Sequence, residues 1–252
     1  MIQIIGLKNI PIIQEGDDIV EIILQSCAQL KLQVQDLDIF IIAHTVISRI
    51  EGRVRDLEKV IPAEEAVQLS RKINKDPRLI TLILEESKQV LRTGMIEGSG
   101  KIIVETNLGF ICADAGIDHS NTPDDLVTLL PENPDKSAAE IQTKIYQRTK
   151  KNVAVIISDT HGRPFRRGAI NVALGVAGIK EIFDYRGQID LFGYELQKTK
   201  IAIADELASA AELIMGEAGE GMPIILIRGY KYENKNGQGL RLIRPAEHDL
   251  FR

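Results

Sequence analysis

Val153-Ala154-Val155-Ile156-Ile157-Ser158-Asp159-Thr160-His161 is the stretch around which the rest of the chain is read. Its apolar opening is that of a strand buried on both faces. A carboxylate, a hydroxyl and an imidazole follow at once, and then Arg163, Arg166 and Arg167 between Gly162 and Gly168. A carboxylate at a strand end suits a hard divalent cation, and forked guanidinium groups suit phosphate. The segment points to chemistry on a phosphorylated molecule.

Outward from it, residues 138–151 read as a helix capped by Ser137, and residues 118–136, with three prolines, as a surface loop. Upstream, residues 2–7 read as a strand, and a helix capped by Asp17 or Asp18 runs to about residue 30. Residues 37–43 read as an apolar strand ending in His44-Thr45, followed by a polar loop over 48–53. Pro62 and Pro77 open helices reaching about residues 72 and 92, since proline is favoured in a first turn. Two short strands between 94 and 117 join near Thr106-Asn107. Downstream, Gly175, Gly178, Gly187 and Gly193 break the pattern. Residues 199–215 carry the strongest helical stripe (Ile203, Leu207, Ala210, Ala211, Ile214). Residues 223–227 form a strand, and 236–239 a loop or hairpin turn. Helices and strands do not alternate regularly, so the expectation is α+β, with mixed or antiparallel sheets and flanking helices, rather than a doubly wound sheet.

The chain has 252 residues, 44% hydrophobic and 27% charged, which fits a globular protein with a proper core. The net charge of −5 argues against a general nucleic-acid binder. Cys27 and Cys112 sit in separate apolar segments and read as buried thiols of a reducing compartment. With neither a secretion signal nor a membrane-length apolar run, a cytoplasmic location is expected. Zinc spacings, nucleophile elbows and the dinucleotide fingerprint are missing, so serine hydrolysis and hydride transfer have no support.

Three acids stand at the mouths of regular elements: Asp118, Asp159 and Glu217. Together they could hold one or two Mg2+ or Mn2+ ions; taken singly, each is equally a turn or cap acid. The loop Met215-Gly-Glu-Ala-Gly-Glu-Gly-Met222 could cradle phosphate through backbone N–H groups, or simply close a helix before a strand. It is not a Walker loop, and its glutamates would repel phosphate unless a cation lies between. The arginines bind an anion or pair with Asp184 or Asp190. His119 and His161 stand so close to acids along the chain that neither is assigned as a ligand.

Five stretches in order resemble the coenzyme F-420-0:L-glutamate ligase family, the gamma-glutamyl ligases of the deazaflavin cofactor. They are Ile10-Pro-Ile-Ile-Gln-Glu-Gly-Asp-Asp18, Thr45-Val-Ile-Ser-Arg-Ile-Glu-Gly-Arg53, Ala115-Gly-Ile-Asp-His-Ser-Asn121, Ser158-Asp-Thr-His-Gly-Arg-Pro-Phe-Arg-Arg-Gly168 and Met215-Gly-Glu-Ala-Gly-Glu-Gly-Met-Pro223. The resemblance implies a GTP-dependent ligase needing two Mn2+ or Mg2+ ions, often helped by K+. It implies an intertwined homodimer of one α+β domain built from two closely packed subdomains. Its partners would be the deazaflavin precursor, L-glutamate and GTP. By position, Asp118 and Asp159 would hold the first metal, and Thr160 and Glu217 the second. GTP would be bracketed by Ile10, Pro11, Ile12, Ile13, His44, Thr45, Arg49 and Asn121, and by Met215, Gly216, Glu217, Ala218, Gly219, Glu220, Gly221 and Met222. Arg49 and Asp159 would act in catalysis. The chain departs from the family pattern at His44, where a small hydroxyl is common, at Arg49 (lysine) and at His161 (asparagine). Another carboxylate acceptor, or a phosphate-binding protein without turnover, are the alternatives.

Overall fold

The computed structural model describes residues 1–96, 98–123 and 125–250. Its first half runs β1 (Gln3–Gly6), α1 (Ile19–Gln29), β2 (Ile39–Ala43), α2 (His44–Ile50), β3 (Val54–Asp56), α3 (Glu64–Ile73), α4 (Pro77–Glu85), β4 (Ser87–Ile96), β5 (Ser99–Thr106) and β6 (Ile111–Ala113). There follow β7 (Leu126–Thr128), α5 (Pro134–Thr149), β8 (Ala154–His161), β9 (Ile170–Ala177), β10 (Phe183–Asp184), β11 (Lys200–Ile201), α6 (Ile203–Met215) and β12 (Ile224–Arg228). The fold is α+β with mixed and antiparallel sheets, as expected.

The main sheet has the order β1-β12-β2-β8-β9. All its pairings are antiparallel except β2 with β8. Side chains alternate between faces along a strand. Phe40, Ile42, Val155 and Ile157 therefore pack beneath α1, α2 and α5, while Ile39, Ile41, Ala154 and Ile156 pack beneath α6. Burial on both faces is why β2 and β8 read as continuous apolar runs. A second core lies under the sheet β4-β5-β6, where Ile102 and Val104 meet Ala66, Ile73, Ile80 and Ile83 of α3 and α4.

Several boundaries differ from the reading of the sequence. The polar stretch 48–53 opens inside α2, whose Val46, Ile47 and Ser48 are buried. The second proline helix stops at Glu85 and gives way to β4, an exposed strand whose apolar residues continue the helical spacing by coincidence. The helix before β8 is capped by Asn133, whose side chain accepts the N–H of Lys136, with Pro134 in the first turn; Ser137 lies within it. The 118–136 segment contains β7; its Asp124, like Glu97 between the two expected short strands, lies outside the described residues. On α6 the buried stripe is Ile203, Ala204, Leu207, Ala208, Ala211 and Met215, whereas Ile214 is half-exposed. Residues 236–238 form no hairpin and lead into a 3-10 turn at Gly239–Leu242.

The topology gathers one edge of the sheet. Ala43 and Ser158 are partners in the parallel pair, so His44-Thr45 and Asp159-Thr160-His161 emerge side by side. Antiparallel β12 enters at that edge with Ile224 opposite Ile42, and β1 leaves there with Gly6 opposite Ile225. The loop before β12 and the segment after β1 therefore arrive at the same place.

Candidate functional site

At this edge lies a cavity of about 850 Å³. Every residue expected to bind metal or nucleotide lines it, except Glu220. The Glu220 carboxylate instead turns back to accept the N–H of Ala218 at 2.8 Å. Asp118 arrives from outside the main sheet. A backbone bridge between Asp118 and Thr128 tethers it beside β7, and Arg49 of α2 donates to the carbonyl of Asn121. Asp118 accepts the N–H of Ser120 at 2.7 Å and its hydroxyl at 2.6 Å. The three acids share the cavity without forming a tight trio: among the described residues, no three His, Cys, Asp or Glu side chains are grouped to hold a metal ion.

Asp159 lies deepest. His44 Nε2 is 3.2 Å from one carboxylate oxygen and His161 Nε2 is 3.0 Å from the other. His161, not assigned as a ligand, turns to the Asp159 carboxylate because positions 159 and 161 of a strand share a face. Burial works to raise the Asp159 pKa, but the two imidazoles outweigh it and hold the group well below the usual carboxylate range. Burial likewise works to lower the His44 pKa, yet Asp159, then Asp118 and Glu217, lift it above its ordinary value. Arg163, Arg166 and Arg167 sit in an exposed turn outside the cavity wall. Asp184 pairs with Arg186 at 2.6 Å rather than with any of them.

Sequence reading missed Asn171 and Glu212. A bulge between Ile157 and Ser158 shifts the β8–β9 register and sets Thr160 opposite Asn171, as bulges beside active sites re-aim side chains. The Thr160 hydroxyl lies 2.6 Å from Asn171 Oδ1 and 2.5 Å from Glu217 Oε1. Three acceptor or hydroxyl residues of α6 face β9: Asp205 accepts the N–H of Ala173 at 2.9 Å, Ser209 donates to the Asn171 carbonyl at 2.8 Å, and Glu212 reaches the Asn171 side chain. Burial, then Glu217, pushes the Glu212 pKa up to about 7. No local pattern announces either residue; only the strand register and the helix face do.

The donors at this edge are carboxylate, hydroxyl and amide oxygens, which fit a hard divalent cation such as Mg2+ or Mn2+. The loop 216–221 contributes backbone beside them. Such an arrangement can bind phosphate through cations and orient it against a second substrate.

A family model described as F420-0:Gamma-glutamyl ligase matches residues 8–229. A protein of Methanocaldococcus jannaschii, named coenzyme F420:L-glutamate ligase, is 46% identical over 253 residues, covering 100% of this chain and 97% of its own. Its namesake from Methanothermobacter thermautotrophicus is 44% identical, with coverages of 100% and 99%, and that from Archaeoglobus fulgidus 37% identical, with 100% and 96%. With matches of this extent, the chain belongs to the F420-0:gamma-glutamyl ligase family.

Proposed function

We propose that this protein joins L-glutamate by an amide bond to the phospholactyl carboxylate of coenzyme F-420-0, using GTP and two divalent cations, Mn2+ or Mg2+, with K+ as a helper. One observation carries the reading. Segments around residues 10–13, 44–49, 118–121, 159–161 and 215–222, distant in sequence, line a single cavity rich in oxygen donors.

In the proposed reaction the acceptor carboxylate attacks the γ-phosphorus of GTP, GDP leaves, and an acyl phosphate forms. The glutamate amine then attacks the acyl carbon, phosphate departs, and the amine gives up a proton as the amide forms. A second glutamate can follow through the γ-carboxylate of the first. The cations, when bound, neutralise charge on the moving phosphoryl oxygens. Asp118 and Asp159 would hold the first, and Thr160 and Glu217 the second. Ile10, Pro11, Ile12, Ile13, His44, Thr45 and Asn121 bracket the nucleotide, with the 215–222 loop along its phosphates. Arg49, which donates to the Asn121 carbonyl, would add positive charge at the reacting end. The exposed arginines 163, 166 and 167 are left for the acceptor's own phosphate; alanine at each, with an unchanged acceptor KM, would remove that role. The active form is read as a homodimer of closely packed subdomains working in the cytoplasm.

Incubation with acceptor, glutamate, GTP and Mn2+, followed by mass spectrometry, tests this. The expected result is acceptor enlarged by glutamyl groups, with one GDP per amide. A glutamylated product from a different acceptor would shift the substrate. Nucleotide bound but never consumed would leave a phosphate-binding protein without turnover.

A further inference from the structure

Thr160, Asn171, Glu212 and Glu217 bring a hydroxyl, an amide and two carboxylates together. The Thr160 hydroxyl sits within 2.6 Å of Asn171 Oδ1 and 2.5 Å of Glu217 Oε1. It carries one hydrogen, so it can satisfy only one of those acceptors. Glu212 Oε2 is buried without a hydrogen-bonding partner of its own; the carboxylate is held by the Asn171 side chain, and Glu217 crowds it with like charge. Buried acceptors are ordinarily matched by donors. Here the chain brings four oxygen-bearing side chains together from β8, β9, α6 and the loop after it.

Asn171 and Glu212 sit on regular elements. Asn171 is 2% exposed. It faces Thr160 in the strand register, and its carbonyl accepts from Ser209. Glu212 lies in the last turn of α6, where its own carbonyl caps Gly216 at 3.0 Å. Carboxylates, an amide carbonyl and a hydroxyl are the donors a hard divalent cation selects.

We propose that Asn171, through Oδ1, and Glu212 are ligands of the second divalent cation and complete a four-residue oxygen site with Thr160 and Glu217. The assignment rests on the two-cation ligase reading above. The competing arrangement is a proton shared between Glu212 and Glu217, with a structural role only.

Calorimetric titration of the full chain with Mn2+, in the presence of a non-hydrolysable GTP analogue, separates the two. The wild type is expected to take up two Mn2+ per chain. In Glu212→Gln and in Asn171→Ala the weaker uptake should be lost or weakened about tenfold or more. Without metal, Glu212→Gln should melt no lower than wild type, because it removes a crowded charge; Mn2+ should then raise its melting temperature less than it raises that of wild type. Two uptakes of unchanged affinity in both variants would overturn the assignment and leave the two-cation reading standing. A wild type that takes up fewer than two Mn2+ would overturn both.

Discussion

The Asp159 carboxylate receives an imidazole on each oxygen, and in return it lifts the pKa of His44, a group whose burial alone would lower it. Replacing Asp159 with asparagine keeps the shape and removes the charge. In the metal-free protein the His44 titration should then fall below the ordinary histidine range, as followed by NMR of the ring. Ligase turnover should fall about a hundredfold or more, the scale of losing one preorganised electrostatic contact. A His44 titration that stays where it was would mean Asp159 is not what sustains it.

Asp205 offers a second test at this scale. Burial raises its pKa above the ordinary 3.8, although the Ala173 N–H pulls the other way. A group raised on folding contributes stability that is complete below the unfolded pKa and is lost as pH rises through the folded one. Asp205→Asn keeps an oxygen for Ala173 and abolishes the titration. Melting curves from pH 4 to 7 should therefore show the variant gaining on wild type as pH rises. Parallel curves would contradict this.

Among the elements, the junction of α6 with the loop before β12 turns on one glycine. Gly216 has φ of +69°, and a Cβ there would come within 2.3 Å of the Glu220 carboxylate carbon. Gly216→Ala forces a left-handed backbone, costing roughly 1–3 kcal/mol, and displaces Glu220. The KM for GTP should rise about tenfold with the far-ultraviolet spectrum unchanged; an unaltered KM would detach this loop from the nucleotide.

What could be read in advance divides along the same line. β2 and β8 were legible because both faces are buried and their apolar runs are unbroken. Asp159 was singled out because it stands towards the end of such a strand, and Asp118 and Glu217 because each closely follows a short turn or a helix. β4 was not, since Val90, Met95 and Ile96 are exposed and carry no face signal. The α5 cap was misplaced because Ser137 is as good a capping residue as Asn133, and Pro134 decides between them by favouring the first turn. Asn171 and Glu212 were illegible for a different reason: a bulge and a helix rotation, both tertiary facts, aim them at the cavity.

For the molecule as a whole, no helix among the described residues is long and apolar enough to cross a membrane. Large apolar side chains nevertheless stand in solvent at 191 and 192, where Leu191 and Phe192 are 99% and 96% exposed. Such side chains suit an interface between subunits. Sedimentation equilibrium should give about twice the 28.0 kDa chain mass, and Leu191→Asp with Phe192→Asp should bring it to the single-chain value. A wild type that sediments as one chain would remove the homodimer.

Among the described residues β12 is the last strand in the chain; it lies between β1 and β2 and is the one neighbour of β1. During translation the first strand therefore waits unpaired while more than two hundred residues emerge behind it. The edge that bears the cavity can close only when residues 224–228 leave the ribosome and slot into the gap. A messenger cut short upstream of that codon run would yield a polypeptide with much of its helix but no assembled cavity, a natural target for cellular proteolysis.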